Sequence, residues 1–524
     1  MQPSARLDVR LVPAALTSWL VTAAGVLWPV GFVLATLGGA LAAAAVGLWW
    51  RADRAGWDRL RVLGASLVAV GVVGAGFGTA VALRADAARQ HPITAAFGTV
   101  APVTVTPSES AVAVGSRRLM FRATLQRLGG DTMSGRVVVF APTMEFHEVM
   151  VGRSLAFRAR ITPPTRRDLT VAVLTASGAP RLGRAGLTQR AAHAVRTRFA
   201  AVAAEVLPGE QARILPALVL GDTAAVTATT SREFRAANLM HLMAVSGANV
   251  TIVCGAVLFL ARLIGPRAAV ALAALALVAF VVVVQPTASV LRAAVMGAIA
   301  LLGVLSSRRR QAIPSLSASV LVLMVAAPQL AVDIGFALSV VATAALIVIA
   351  PVWSRGLVAR GWPKPVADAV CVAGAAQAVT APLIAAISGR VSLVGAFANL
   401  AVAALVVPIT VLGSAAAALC VCWPAAAQLL IRFTGPELWW VGRIAHWTAG
   451  LPGATVPVPA GVPGAAVVLA ATTAAVAAWR WWWFRLTAAG AAVCLLAWSA
   501  SGVLTGQVGV QVGALSAPRD TISG

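Results

Sequence analysis

Ten apolar runs follow one another between Leu239 and Leu504, joined by short loops of which several are rich in arginine. They are Leu239–Ala261, Ala268–Val284, Ala288–Leu305, Ile313–Ala326, Ile334–Val352, Val366–Ile387, Leu393–Val421, Ala425–Ala449, Val462–Trp479 and Leu486–Leu504. About 20 apolar residues in a helix cross the hydrocarbon core of a bilayer. Lipid offers no partner to a backbone N–H or C=O, so a crossing segment must be a helix or part of a closed barrel. Three more runs, Ala14–Leu27, Pro29–Trp50 and Leu63–Leu83, precede the ten. With re-entrant or surface-lying segments allowed for, about 10 to 13 spans are expected. A hydrophobic content of 60% and a mean hydropathy of +0.88 agree with a polytopic α-helical membrane protein.

Between Arg84 and Leu182 the pattern changes. Short Val-, Thr-, Phe- and Arg-containing segments alternate with Gly and Pro, with candidate strands at Gly98–Val105, Arg117–Leu125, Gly135–Phe140, Ser154–Ile161 and Thr170–Leu174. Five short strands suggest a small all-β, OB-like barrel. Arg122, Arg136 and Arg158 make it basic, and Phe121, Phe140 and Phe157 are interleaved with them. Basic grooves with stacking aromatics suit single-stranded nucleic acid, whereas alternating phenylalanines also suit a barrel core. Ala185–Val206 comes next as an amphipathic helix carrying Arg190, His193, Arg196 and Arg198, suited to the outer membrane surface.

The chain holds 41 Lys+Arg against 17 Asp+Glu, a formal net charge of +24, and Lys364 is its only lysine. Cytoplasmic loops favour such residues. Strict alternation of crossings then puts Arg6, Arg10, the loop Arg51–Arg61, Arg308–Arg310, the loop with Arg355, Arg360 and Lys364, and Arg480/Arg485 inside. The N-terminus is then cytoplasmic, and the β domain and C-terminus extracytoplasmic. The expected domains are 1–83 (N-terminal helices), 84–182 (barrel), 183–213 (linker helix), 214–505 (channel-type membrane domain) and 506–524 (tail).

The first run of the membrane domain carries His241, Ser246, Gly247 and Asn249 among apolar residues. A lipid-facing helix has no use for that cluster. It reads either as a broken helix facing a polar interior or as a glycine-containing helix with small-residue packing. Further along, Arg292, Asp333, Gln377 and Asn399 place charge or amide groups in apolar runs. Intramembrane ionisable residues are functional candidates by default. Arg292 reads as a phosphate-contacting or charge-paired group, or as an interfacial arginine snorkelling outward; Asp333 reads as its ion-pair partner in preference to a catalytic group. Pro382 and Pro408 should kink their helices.

His241-Leu-Met-Ala-Val-Ser246-Gly247-Ala-Asn249-Val resembles the most recognisable motif of the ComEC family, inner-membrane channels for single-stranded DNA in natural competence. Ala217–Asp222 with Phe234-Arg235, Pro286–Met296 and Asp333–Ser339 resemble three further elements in the same order; Gln377–Pro382 and Asn399 with Pro408 resemble two more. The resemblance implies an OB-like domain ahead of a channel that conducts single-stranded DNA. It also implies a receptor and a nuclease outside, an ATP-driven motor or DNA-binding proteins inside, and room for a homo-oligomer. The path candidates are then His241, Ser246, Gly247, Asn249, Arg292, Asp333, Gln377 and Asn399. The His-x-His-x-Asp-His signature of the metallo-β-lactamase-like domain common in the family is absent from these 524 residues. That domain is therefore separate, lost or beyond the sequence.

The chain carries no Walker A sequence, nucleophile elbow or metal-ligand cluster, and Cys420-x-Cys422 lacks a second pair for zinc. The five cysteines read as small packing residues, and no cofactor and no enzymatic activity are expected. The alternatives are a secondary transporter of a small anionic or amphiphilic substrate and a membrane-embedded lipid or envelope enzyme. The orientation has a direct test. A cysteine placed at Ser134 should react with an impermeant label from the outer face, and one at Ser307 should not; the reverse pattern overturns it.

Overall fold

The computed structural model describes residues 8–115, 117–285, 287–305, 312–451 and 453–478, with Trp481, Thr487 and Gly490. Arg6, Pro286, Ser307, Arg308–Arg310, Arg480, Trp482, Trp483, Arg485, Cys494, most of the run Leu486–Leu504 and the 506–524 tail lie outside the described residues. The chain forms two compact units. One comprises Met1–Val226, His241–Ile349 and Leu405–Leu438; the other comprises Thr227–Met240, Ala350–Ala404 and Trp439–Gly524.

The first unit opens with α1 (Val12–Leu27), α2 (Gly31–Arg54) and α3 (Asp58–Arg89). Gly64, Gly71 and Gly78 recur on α3 every seven residues and face Trp49, Ala42 and Ala35 of α2. A Cβ at Gly71 would lie 2.6 Å from the backbone N of Ala42, and one at Gly78 would lie 2.8 Å from that of Ala35. The two backbones therefore touch. Lipid tails are as apolar as leucine, so helices in a bilayer gain mainly from such close packing. α1 turns to other partners: Trp19 meets the Phe336 ring edge-on at 5.4 Å and donates to the Ala331 carbonyl at 2.9 Å.

The barrel comes next, with β1 (Val100–Pro107), β2 (Val112–Val114), β3 (Arg118–Leu128), β4 (Asp131–Pro142), β5 (Arg153–Thr162) and β6 (Thr170–Ala185). The sheet order is β1-β5-β6-β4-β3, closed by β1–β3 pairing; β4–β6 is parallel and the other pairs are antiparallel. Without the short β2 on the outside of β3, this is a five-stranded OB-like barrel. β6 runs past Leu174 because Gly178, with φ of 73°, sits where the β5–β6 register shifts. The breaker residues make a bulge there, not a strand end. Phe121 and Phe157 are buried in the barrel core, where Phe157 meets Phe146 edge-on at 5.3 Å. Strand alternation aims them inward, so neither can stack on a base, and Phe140 is half-buried on the other face.

Then come α4 (Leu187–Val206), α5 (Gly209–Leu220), α6 (Ala228–Ala236), α7 (Met240–Met243), α8 (Gly247–Ala261), α9 (Pro266–Val284), α10 (Ala288–Leu305), α11 (Ala312–Ala326), a 3-10 turn Pro328–Val332, and α12 (Ile334–Val348). They lead into α13 (Ala350–Val358), α14 (Lys364–Ser388), β7 (Arg390–Ser392), α15 (Gly395–Leu419), α16 (Pro424–Phe433), α17 (Gly435–Gly450), β8 (Thr455–Pro457) and α18 (Val462–Ala478). In the second unit α14 packs on α13 and α18, and β7 pairs with β8.

Among the described residues six segments are long and apolar enough to cross a membrane: α2, α3 with its extension, α9, Ile334–Val358, α14 and α15. α1, α8, α10, α11 and α18 are shorter apolar helices. The run Ala425–Ala449 is not one span. It divides at Thr434 into α16 and α17, which carry Gln428, Arg432, Glu437, Arg443 and His446. α4 does not simply float on the surface, because Ala192, Arg196, Phe199, Val202 and Ala203 are buried.

α4 also gathers the ends of two of the long apolar helices. Arg196 of α4 reaches the last carbonyls of α9 at Val283 and Val284, and Cys420, just past α15, approaches the neighbouring Val195 carbonyl at 3.7 Å. The end of α9 and the residue just past α15 thus both meet the middle of α4.

The α2–α3 seam predicts a mutational contrast. Gly71→Leu should destabilise the protein by about 1–3 kcal/mol through overpacking against backbone. Gly76→Leu, with open space around its Cβ, should change little. Thermal unfolding in detergent distinguishes them, and equal effects would refute the seam.

Candidate functional site

The run Leu239–Ala261 is broken. α7 ends at Met243, Ser246 is extended (φ −98°, ψ 167°), and α8 starts at Gly247. The break thus lies just ahead of Gly247, and Gly247 and Asn249 occupy the first turn of α8. Ser246 donates from Oγ to Asn249 Oδ1 at 3.4 Å. Asn249 is buried and donates through Nδ2 to the Leu218 carbonyl at 3.1 Å. That carbonyl is free because α5 ends at Gly221, a left-handed residue whose N–H bonds Ala217, while Asp222 N–H reaches back to Pro216. The amide of Asn249 therefore satisfies an orphan helix end.

Gly247 serves a close approach. A Cβ there would lie 2.9 Å from Nη2 of Arg292 and 3.3 Å from Cβ of Ala293. Arg292, on α10, is 5% exposed. Its Nε donates to Ser339 Oγ at 2.8 Å, and Nη1 lies 3.2 Å from the Met296 sulfur. The expected Arg292–Asp333 ion pair does not form. Asp333 caps α12 instead, accepting from the Phe336 N–H at 2.8 Å. A carboxylate that terminates a helix is already engaged by backbone donors, and the hydroxyl that meets Arg292 is six residues further on. Among the described ion pairs none includes Arg292.

Asp333 has another neighbour. Its charge acts on Arg136 of β4 across the boundary between barrel and helices. Burial, then repulsion from Arg122, pulls the Arg136 guanidinium below its ordinary value, while Asp168, Glu109 and Asp333 oppose that. Nη1 of Arg136 is buried and meets no acceptor among the described residues. Arg122 pairs with Glu109 at 3.1 Å, and Arg158 is exposed on β5. Ser110, beside Glu109, donates to the Gln285 side chain at 2.5 Å, which ties the barrel to the α9–α10 junction.

His241 is exposed on α7. Gln377 and Asn399 belong to the second unit. There Asn238 donates to Gln377 at 2.8 Å, Gln377 donates to the Ser392 carbonyl at 3.3 Å, and Ser392 Oγ donates to the Ala236 carbonyl at 2.7 Å. Asn399 is half-buried on α15. Three of the cysteines, Cys254, Cys371 and Cys420, are buried, and Cys422 is exposed. No group of three or more potential metal ligands is gathered among the described residues.

Sequence reading missed Ser339 as the partner of Arg292, although it stands in the same motif as Asp333. It also placed Arg196 on a polar face. Arg196 is 8% exposed, pairs with Asp222 at 3.4 Å and donates to Leu220 at 3.1 Å and Val283 at 3.2 Å. Its spacing with Ala192, Phe199 and Ala203 on one helical face was the available signal.

Substitutions separate these roles. Asn249→Leu leaves the Leu218 carbonyl without its donor and should destabilise by about 1–3 kcal/mol. In a double-mutant cycle Arg292→Ala and Asp333→Ala should add within about 0.5 kcal/mol, whereas Arg292→Ala and Ser339→Ala should couple more strongly. Unfolding midpoints report both, and strong Arg292–Asp333 coupling would restore the ion pair.

No curated protein and no solved structure matches the chain. The model of the family described as Competence protein matches residues 218–485, about half of the chain, from the end of α5 past α18. That stretch holds the α7–α8 break, Arg292, Ser339 and the Gln377 network. The chain belongs to the ComEC family of competence proteins.

Proposed function

We propose that this protein, whose family acts in DNA uptake during competence, is the membrane channel through which single-stranded DNA enters. The observation that carries the reading is Arg292. It is a buried guanidinium beside a helix break, held by a hydroxyl and a thioether and by no carboxylate. A charge at membrane depth is expensive unless compensated, and a passing phosphate supplies the compensation. Its attraction in a low-dielectric interior exceeds that in water. Gly247 supports this by placing no side chain against Nη2, and Asn249 by holding the start of α8 in place.

Arg136, with a buried unmet donor near Asp333, and Arg122 suit an approaching phosphodiester at the barrel. Arg158, exposed on β5, suits a looser first contact. His241, Gln377 and Asn399 remain candidates for later parts of the path. A channel of this kind needs no bond-breaking step of its own. Receptor and nuclease stand outside, an ATP-driven motor or DNA-binding proteins inside, with the N-terminus cytoplasmic and the barrel extracytoplasmic.

The test is entry of labelled DNA into cells at matched protein levels. Arg292→Ala should reduce entry by about tenfold or more, equivalent to ~1.4 kcal/mol of lost phosphate attraction. Arg292→Lys should restore it partly, since lysine keeps the charge without the planar fork. Gly247→Leu should block entry, because the added side chain lands on the guanidinium. Wild-type entry in Arg292→Ala and Gly247→Leu would end the proposal.

A further inference from the structure

The outer side of α4 carries a groove that the DNA path does not use. It is a shallow, open depression lined by Arg190, His193, Thr197 and Arg198 of α4 with the small apolar Ala194 and Ala201, and by Met150 of the β4–β5 loop. Arg190, Thr197 and Arg198 are exposed on one side of the helix, while Arg196 is turned into the protein. Among the described ion pairs neither Arg190 nor Arg198 has an acidic partner. Thr197 Oγ1 lies 3.5 Å from His193 Nε2, which gathers two further hydrogen-bonding groups between the arginines.

The position of α4 indicates the ligand. Its middle meets the last carbonyls of α9 and the residue just past the end of α15, both long and apolar enough to cross a membrane. α4 therefore lies at the level where spanning helices end, which is the level of lipid headgroups. Leu187, one turn before Arg190, is 76% exposed, and Met144 in the same loop as Met150 is 88% exposed. Arginines flanked by exposed apolar side chains are the composition of an interfacial helix. Two guanidiniums beside one depression offer charge-assisted donors to phosphate oxygens, and its apolar floor suits the start of an acyl chain.

We infer that this groove binds the headgroup of an anionic phospholipid, which anchors the barrel against the bilayer through α4. The inference is independent of the DNA path, since none of its residues belongs to that path.

The experiment uses the full-length protein in a zwitterionic detergent, with phosphatidylglycerol, phosphatidylcholine and a short oligothymidylate as probes. Native mass spectrometry reads bound lipid, and fluorescence anisotropy reads bound oligonucleotide. Arg190→Glu/Arg198→Glu should weaken the tightest phosphatidylglycerol site by about tenfold or more and leave phosphatidylcholine unchanged. Arg190→Gln/Arg198→Gln provides the milder variant if charge reversal disturbs folding, and should show the same loss in smaller degree. Unaltered phosphatidylglycerol binding in the milder, folded variant overturns the inference. So does a loss confined to oligothymidylate, which would make the groove a DNA contact.

Discussion

The Arg196 guanidinium ties the ends of α5 and α9 to the middle of α4. α5 and α9 both end with carbonyls that their own helices cannot satisfy. Arg196 supplies donors to Leu220, Val283 and Val284, and Asp222 balances its charge. A cation at the negative ends of two helix dipoles is favoured on both counts. Burying the pair is costly, and removing one partner of such a pair typically destabilises by about 3–5 kcal/mol. The C-terminal end of α5 in turn presents the Leu218 carbonyl that receives Asn249, so the first turn of α8 depends on the same corner.

The two buried arginines of this unit differ in a way that bears on function. Arg196 has a carboxylate and backbone acceptors, and its donors are consumed by architecture. Among the described residues Arg292 has only Ser339 and Met296 as hydrogen-bond partners, and one edge faces a glycine. A guanidinium so lightly engaged suits an anion that comes and goes. The same contrast appears on the barrel, where Arg122 is paired with Glu109 and Arg136 keeps a buried donor unmet.

The barrel also limits how nucleic acid can be held. Its phenylalanines fill the interior, so base stacking on Phe121 and Phe157 is unavailable. What remains outside is charge: Arg122, Arg136 and Arg158 on β3, β4 and β5. Charge binds phosphate without regard to sequence, which agrees with the proposal that arbitrary single-stranded DNA passes this domain.

Much of this was legible in one dimension. Apolar runs of membrane length identified the class, because lipid leaves the backbone no alternative to helix. Short Val-, Thr- and Phe-rich segments set off by Gly and Pro located all five barrel strands, and the polar cluster at Ser246–Asn249 marked a real helix break. Four ordered motifs sufficed for the family. Partnership was a different matter. Arg292 looked suited to Asp333 because both are charged and similarly placed in their runs, yet the capping demand of α12 claimed Asp333 first. Arg196 looked solvent-facing because arginine usually is. The division of Ala425–Ala449 and the meeting of α9 and α15 at α4 depend on how helices pack in three dimensions. Hydropathy reports only whether a segment tolerates lipid; which carbonyl lacks a donor, and which side chain can reach it, is decided when the helix ends are brought together.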